Sequence, residues 1–85
     1  MPRFYFNLAN DMFVVDEEGA ELPDLEAARE RAIQFALDMS AASVLEHRRL
    51  NLHHRIDVVD DERRPVLTVE FGDVVTIESA PPLGG

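Results

Sequence analysis

Phe4, Phe6 and Leu8 alternate with Arg3, Tyr5 and Asn7 near the start of the chain. Successive strand side chains point to opposite faces, so this period of two predicts a strand over residues 2–8 with one buried face. Asn10-Asp11 reads as a turn, because short Asx side chains bond back to nearby main-chain groups. Residues 12–16 predict a second strand that is apolar on both faces, with Met12 and Val14 on one and Phe13 and Val15 on the other. The two strands are expected to pair as a hairpin.

The stretch Asp16-Glu17-Glu18-Gly19 ends that pattern, and Leu22-Pro23-Asp24 follows. Gly19 suits a turn position with positive φ. Asp24 is placed to cap a helix by accepting from the free N–H groups of its first turn, where Glu26 also meets the positive end of the dipole. The stretch therefore reads as punctuation between a strand and a helix. The calcium-loop pattern of alternating Asp or Asn ligands with a distal Glu is absent.

From Leu25 the period becomes helical: Leu25, Ala28, Ala32, Phe35, Ala36, Met39 and Ser43 form one stripe. A thinner stripe, Ile33, Leu37 and Val44, flanks it. That flank either widens the buried face or is an edge held back for a partner or a second copy. The helix is expected to fray around residues 46–49, where His47, Arg48 and Arg49 suit the negative end of its dipole.

Residues 54–59 predict a third strand with Ile56 and Val58 inward and Arg55 and Asp57 outward. Residues 60–65 form a polar turn. Residues 66–71 predict a fourth strand with Leu67, Val69 and Phe71 inward. Residues 74–78 read as a fifth short strand or an irregular return. Residues 79–85, SAPPLGG, are too rich in Pro and Gly for regular structure and read as a flexible tail. The expectation is a single α+β domain over residues 1–78. It has ββαββ order and an antiparallel sheet of four to five strands, with one helix packed on one face. The second strand breaks the one-face pattern, so part of the other face is expected to be covered.

Composition narrows the function classes. At 85 residues the chain makes one domain with a modest core, and its 46% hydrophobic content is too high for disorder. It has no cysteine, hence no disulfide framework and no thiolate metal site. No apolar run approaches the roughly 20 residues that span a bilayer, and the first ten residues have no signal-peptide pattern, so a cytoplasmic protein is expected. The net charge is −9. Residues 1–22 hold one Arg against five acids and residues 51–85 hold three against seven, so the charge lies mostly outside the helical segment. Such a surface repels phosphate backbones and anionic lipid, which argues against nucleic-acid or membrane partners.

Catalytic chemistry finds little support. Adjacent His53 and His54 would point to opposite faces of a strand, and His47 has no partner at a metal-ligand spacing, so no metal or other cofactor is expected. Ser40 and Ser43 lie in the helix without a nucleophile motif. The acids cluster in two turns, Asp16-Glu17-Glu18 and Asp60-Asp61-Glu62, where water is abundant; general acid–base work needs a desolvated pair. Gly19 and Gly72 stand alone, so there is no phosphate loop. The reading is of a non-enzyme.

Three stretches, MPRFYFNLAN, DEEGAELPDLEAARERA and RIDVVDDERRPVLTVEF, together resemble a family of short bacterial proteins known only as a domain of unknown function. The shared features are the Pro2-Arg3-Phe4-Tyr5-Phe6 start, Asp16-x-x-Gly19-x-x-Leu22-Pro23-Asp24, Ala28 and Ala32 in the helix, and an Asp-rich turn before residues 66–71. The resemblance covers residues 2–78 and carries no activity with it. A looser likeness, of fold alone, is to antitoxin-type modules in which a short antiparallel sheet packs on one helix.

The expected role is therefore a small acidic interaction module that binds another protein or itself, with a homodimer as one form. Its candidate surfaces are the helix edge of Ile33, Leu37 and Val44 and the open sheet face carrying Tyr5 and Val66, apolar positions left over once one core face is counted. The alternatives are an antitoxin-like regulator of a basic partner, and a small-ligand binder or enzyme.

Overall fold

A computed structural model describes residues 1–78; the tail expected at 79–85 lies outside the described residues. In chain order the elements are β1 (Arg3–Ala9), β2 (Phe13–Val14), β3 (Ala20–Glu21), α1 (Leu25–His47), β4 (Arg55–Val59), β5 (Pro65–Glu70) and a single helical turn, α2 (Phe71–Val74). The strands form one antiparallel sheet in the order β2-β1-β4-β5, and β3 also pairs with β1. This is the expected α+β class, with one long helix on an antiparallel sheet.

The alternation read from the sequence sets the two faces. Phe6 lies opposite Val58, Leu8 opposite Ile56, Val58 opposite Leu67 and Ile56 opposite Val69. These side chains share the face that meets α1. The helix presents Ala28, Ala32 and Ala36 to it, all fully buried. Three alanines on one stripe carry no bulk, so the helix axis comes close to the sheet and seals Ile56 and Val58 completely. Full burial of such a side chain stabilises by about 1.5–3 kcal/mol.

Asp24 caps the helix, its carboxylate accepting from the Ala27 N–H at 2.9 Å. The other end closes on Arg48, whose φ of 56° is left-handed and whose N–H donates to the Val44 carbonyl. The Ser43 hydroxyl donates to the Arg49 carbonyl at 2.6 Å and secures the exit.

The second strand differs from expectation, and of the two readings of residues 74–78 the irregular return is the one found, over residues 75–78. The second shrinks to two residues, and no part of the described structure covers it: Met12, Phe13, Val14 and Val15 are 73%, 57%, 52% and 49% exposed. The fifth strand is not in residues 74–78. It is β3, before the helix, while Phe71 opens α2 and residues 75–78 have no regular structure. Main-chain bonds decide this: the Phe71 N–H donates to the His54 carbonyl and the Gly72 N–H to the Leu52 carbonyl. They tie α2 to the 50–54 connection and turn the chain away from the sheet.

Candidate functional site

The site grows from a gap in the sheet. β1 pairs along one edge with β4. Its other edge is shared: Leu8 and Ala9 pair with β2, while Arg3 and Phe4 pair with β3. Between these two short segments the Phe6 N–H has no strand opposite it. The Asp16 carboxylate takes that place, its Oδ2 accepting from Phe6 at 3.0 Å. Oδ1 accepts from the Glu18 and Gly19 N–H groups at 3.1 and 3.0 Å, and the Asp16 N–H donates to the buried Asn7 side chain at 2.9 Å. One side chain thus replaces a missing stretch of ladder and folds its own turn. Burial pushes the Asp16 carboxyl up. The N–H groups of Gly19, Phe6 and Glu18, with the Arg63 guanidinium, outweigh it and hold the pKa below the ordinary Asp value.

Gly19 completes the gap. Its φ is +70°, and a Cβ there would lie 2.8 Å from the Phe4 carbonyl oxygen and from the Tyr5 ring. Asp16-x-x-Gly19 is therefore a structural motif, as the sequence suggested, but it repairs the sheet rather than merely ending a strand.

Beside this edge the sheet is incompletely roofed. The nearest strands to α1 are β4 and β5, and it also packs on α2, so the helix sits off-centre. On the β1–β2 side it leaves an open groove of about 710 Å³. The floor and walls include Phe6, Leu8, Val14, Val15, Phe35 and Met39. The rim is polar and mostly acidic: Glu17, Glu18 and Asp16 from the turn face Asp38, Gln34 and Arg31 from the helix. Asp16 is committed to the main chain, and Asp38 accepts from Gln34 at 2.9 Å. Among the described residues the Glu17 and Glu18 carboxylates take no hydrogen bond or ion pair.

The main chain of β2 adds a second feature. The Asn10 N–H donates to the Met12 carbonyl across the turn, and two residues along Leu8 faces Val14. Antiparallel alternation then directs the Val14 main-chain groups to β1 and those of Phe13 and Val15 to the free edge.

A second hollow, about 490 Å³, lies between the end of α1 and the 10–11 turn. Asp11 pairs there with Arg49 at 3.4 Å and lies 3.7 Å from the His54 Nε2. His54 stacks edge-on against Phe71. Among the described residues no His, Asp and Glu side chains converge as a metal site, and no helix is long and apolar enough to cross a membrane.

The five residues singled out from the sequence do not form one surface. Ile33 is half-buried against the core, while Leu37 and Val44 are 38% and 47% exposed. They lie on the helix flank opposite the groove, because Phe35 and Met39 are on the other flank at helical spacing. Tyr5 and Val66 lie on the outer sheet face; Tyr5 is half-buried under the Arg63 guanidinium, 4.0 Å from its ring centre. Phe35 and Met39, on the core stripe as expected, pack against the core and also line the groove. The signal that could have found the groove was the four-residue apolar run Met12–Val15, too apolar for an exposed edge.

The chain belongs to the family described as domain of unknown function DUF6894, whose model matches residues 3–72. No curated protein and no solved structure matches it.

Proposed function

We propose that this family member is a non-catalytic interaction module whose binding surface is the groove between α1 and the β2–β3 edge. One observation carries the reading: the apolar run Met12–Val15 is about half exposed or more, and its Val14 and Val15 line the groove. Small soluble domains rarely leave such a run bare unless something binds there. The resemblance to short bacterial proteins, together with the acidic composition, supports a small acidic protein of the bacterial cytoplasm.

Two double variants test which surface binds. Val14→Asn/Val15→Asn alters the groove at exposed positions without changing charge. Leu37→Glu/Val44→Glu alters the opposite helix flank. Tagged chains of each kind are recovered from the native host, with folding checked by circular dichroism. The expected result is a stoichiometric partner, or a second copy, retained by the wild type and the flank variant and lost by the groove variant. The reverse pattern would move the interface to the Leu37/Val44 flank. Recovery of only a monomer would overturn the module reading.

A second reading is a small-ligand site. The groove volume of about 710 Å³ supports it, being within the range of small-molecule pockets. That reading makes no use of the free main-chain edge.

A further inference from the structure

We infer that the groove takes an extended, cationic and apolar segment of a partner protein, which adds as a strand to the free edge of β2. The inference rests on the interaction-module reading and gives the partner its chemistry.

Three independent features converge. By antiparallel alternation the Phe13 and Val15 main-chain groups face outward, with no strand beyond them among the described residues, and an added strand would satisfy them. The groove lies alongside that edge, so alternate side chains of an added strand would enter it between Val14 and Phe35. The rim then selects for charge. Glu17, Glu18 and Asp38 outnumber Arg31, and the two glutamates lack partners among the described residues. Arg or Lys on the incoming strand would pair with them and steer its approach.

The same charges argue against a second copy. Pairing two β2 edges would bring Asp11 and the Glu17/Glu18 pair of each chain towards those of the other. Each chain carries a net charge of −9, so self-pairing starts from mutual repulsion. The far edge of the sheet is not an equivalent site. β5 opens with Pro65 and ends at Glu70, and a proline and a charge on an edge both discourage strand addition.

The test uses the whole protein and a short synthetic peptide alternating valine with arginine, blocked at both ends. Affinity is read by calorimetry and main-chain protection by hydrogen exchange. The expected result is binding that slows exchange of the Phe13 and Val15 amide protons. A peptide with glutamate in place of arginine should not bind. A peptide N-methylated at alternate residues, unable to donate to the edge, should lose at least tenfold. Glu17→Gln/Glu18→Gln should weaken the cationic peptide by roughly fivefold to tenfold, since a rim ion pair contributes modestly. Undiminished binding of the N-methylated peptide, or binding without protection at Phe13 and Val15, would overturn strand addition in favour of charge attraction. Equal binding of the glutamate peptide would overturn the partner's charge. Absence of any binding would overturn both the strand and its charge. The module reading would still stand if the Val14→Asn/Val15→Asn variant released a natural partner, so the two failures are separable.

Discussion

Two acidic turns, 16–19 and 60–64, have similar compositions and different tasks. In each an Asp carboxylate accepts from two N–H groups of its own turn: Glu18 and Gly19 in the first, Glu62 and Arg64 in the second. Each turn contains a left-handed residue, Gly19 at φ 70° and Arg63 at φ 63°. The difference lies in the remaining oxygen. Asp60 turns its Oδ2 to the Arg64 side chain at 3.2 Å, so its bonds stay within the hairpin. Asp16 sends its Oδ2 across to the Phe6 N–H on β1 and fills the gap in the sheet. A count of acids cannot separate the two aspartates; whether the carboxylate that folds the turn also serves a main-chain group outside it does, and in the second turn a different acid, the exposed Asp61, accepts from the Arg3 N–H of β1 at 3.2 Å. The free carboxylates follow the same division. Glu62 pairs with Arg64, whereas Glu17 and Glu18 are left on the rim of the groove.

The sharpest way to break the comparison is to truncate both aspartates. Asp16→Ala orphans the part-buried Phe6 N–H and opens the 16–19 turn, and should cost about 2–3 kcal/mol. Asp60→Ala leaves only groups that water can reach, and should lower the melting temperature by less than half as much. Urea and thermal unfolding of both variants check the ratio. Equal losses would mean that the sheet gap is not what makes Asp16 important.

Acid should weaken both turns. The Asp16 pKa is depressed in the folded protein, so its contribution is complete above the unfolded-state value and is lost as the pH falls through the folded value. The Asp60 carboxyl is also lowered, chiefly by the Arg64 N–H against some desolvation and with help from the Glu62 N–H and the Arg64 charge. Wild-type stability should therefore fall below about pH 4, where unfolded Asp begins to take up protons. The stability gap between wild type and Asp16→Asn should be widest near neutrality and close as the pH drops through that window. A gap that does not change with pH would remove the carboxylate charge from the account.

Much of the frame was legible in the sequence. β1, β4 and β5 showed their alternation, and α1 showed its stripe and its Asp24 cap, because each is long enough for a period to repeat. β3 has two residues and no period to show. It exists because Ala20 and Glu21 reach Phe4 and Arg3 once the 16–19 turn is folded. Phe71 carries the apolar spacing of a strand end, yet main-chain bonds from Phe71 and Gly72 to His54 and Leu52 place it at the start of a helical turn. The groove was hidden for a different reason. Which helix flank is left bare depends on where α1 sits across the sheet, and that follows from the order β2-β1-β4-β5. No local pattern encodes that order, so the sequence alone shows Ile33, Leu37 and Val44 as apolar surplus and Phe35 and Met39 only as part of the core stripe.

The smallest expected effect concerns Arg63, which joins the two turns. It belongs to the second, stacks on Tyr5 at 4.0 Å and donates to the Asp16 carbonyl of the first at 3.1 Å. It also sits in left-handed backbone, which costs a residue with a Cβ about 1 kcal/mol relative to glycine. Arg63→Ala keeps that strain and loses the exposed cation–π contact, so it should destabilise by about 0.5–1 kcal/mol. Arg63→Gly loses the same contact and relieves the strain, so it should be close to neutral. Chemical denaturation of the pair separates side chain from backbone. If alanine and glycine cost the same, the left-handed turn is not strained. If both are neutral, the Arg63–Tyr5 contact contributes nothing and the two turns are energetically independent.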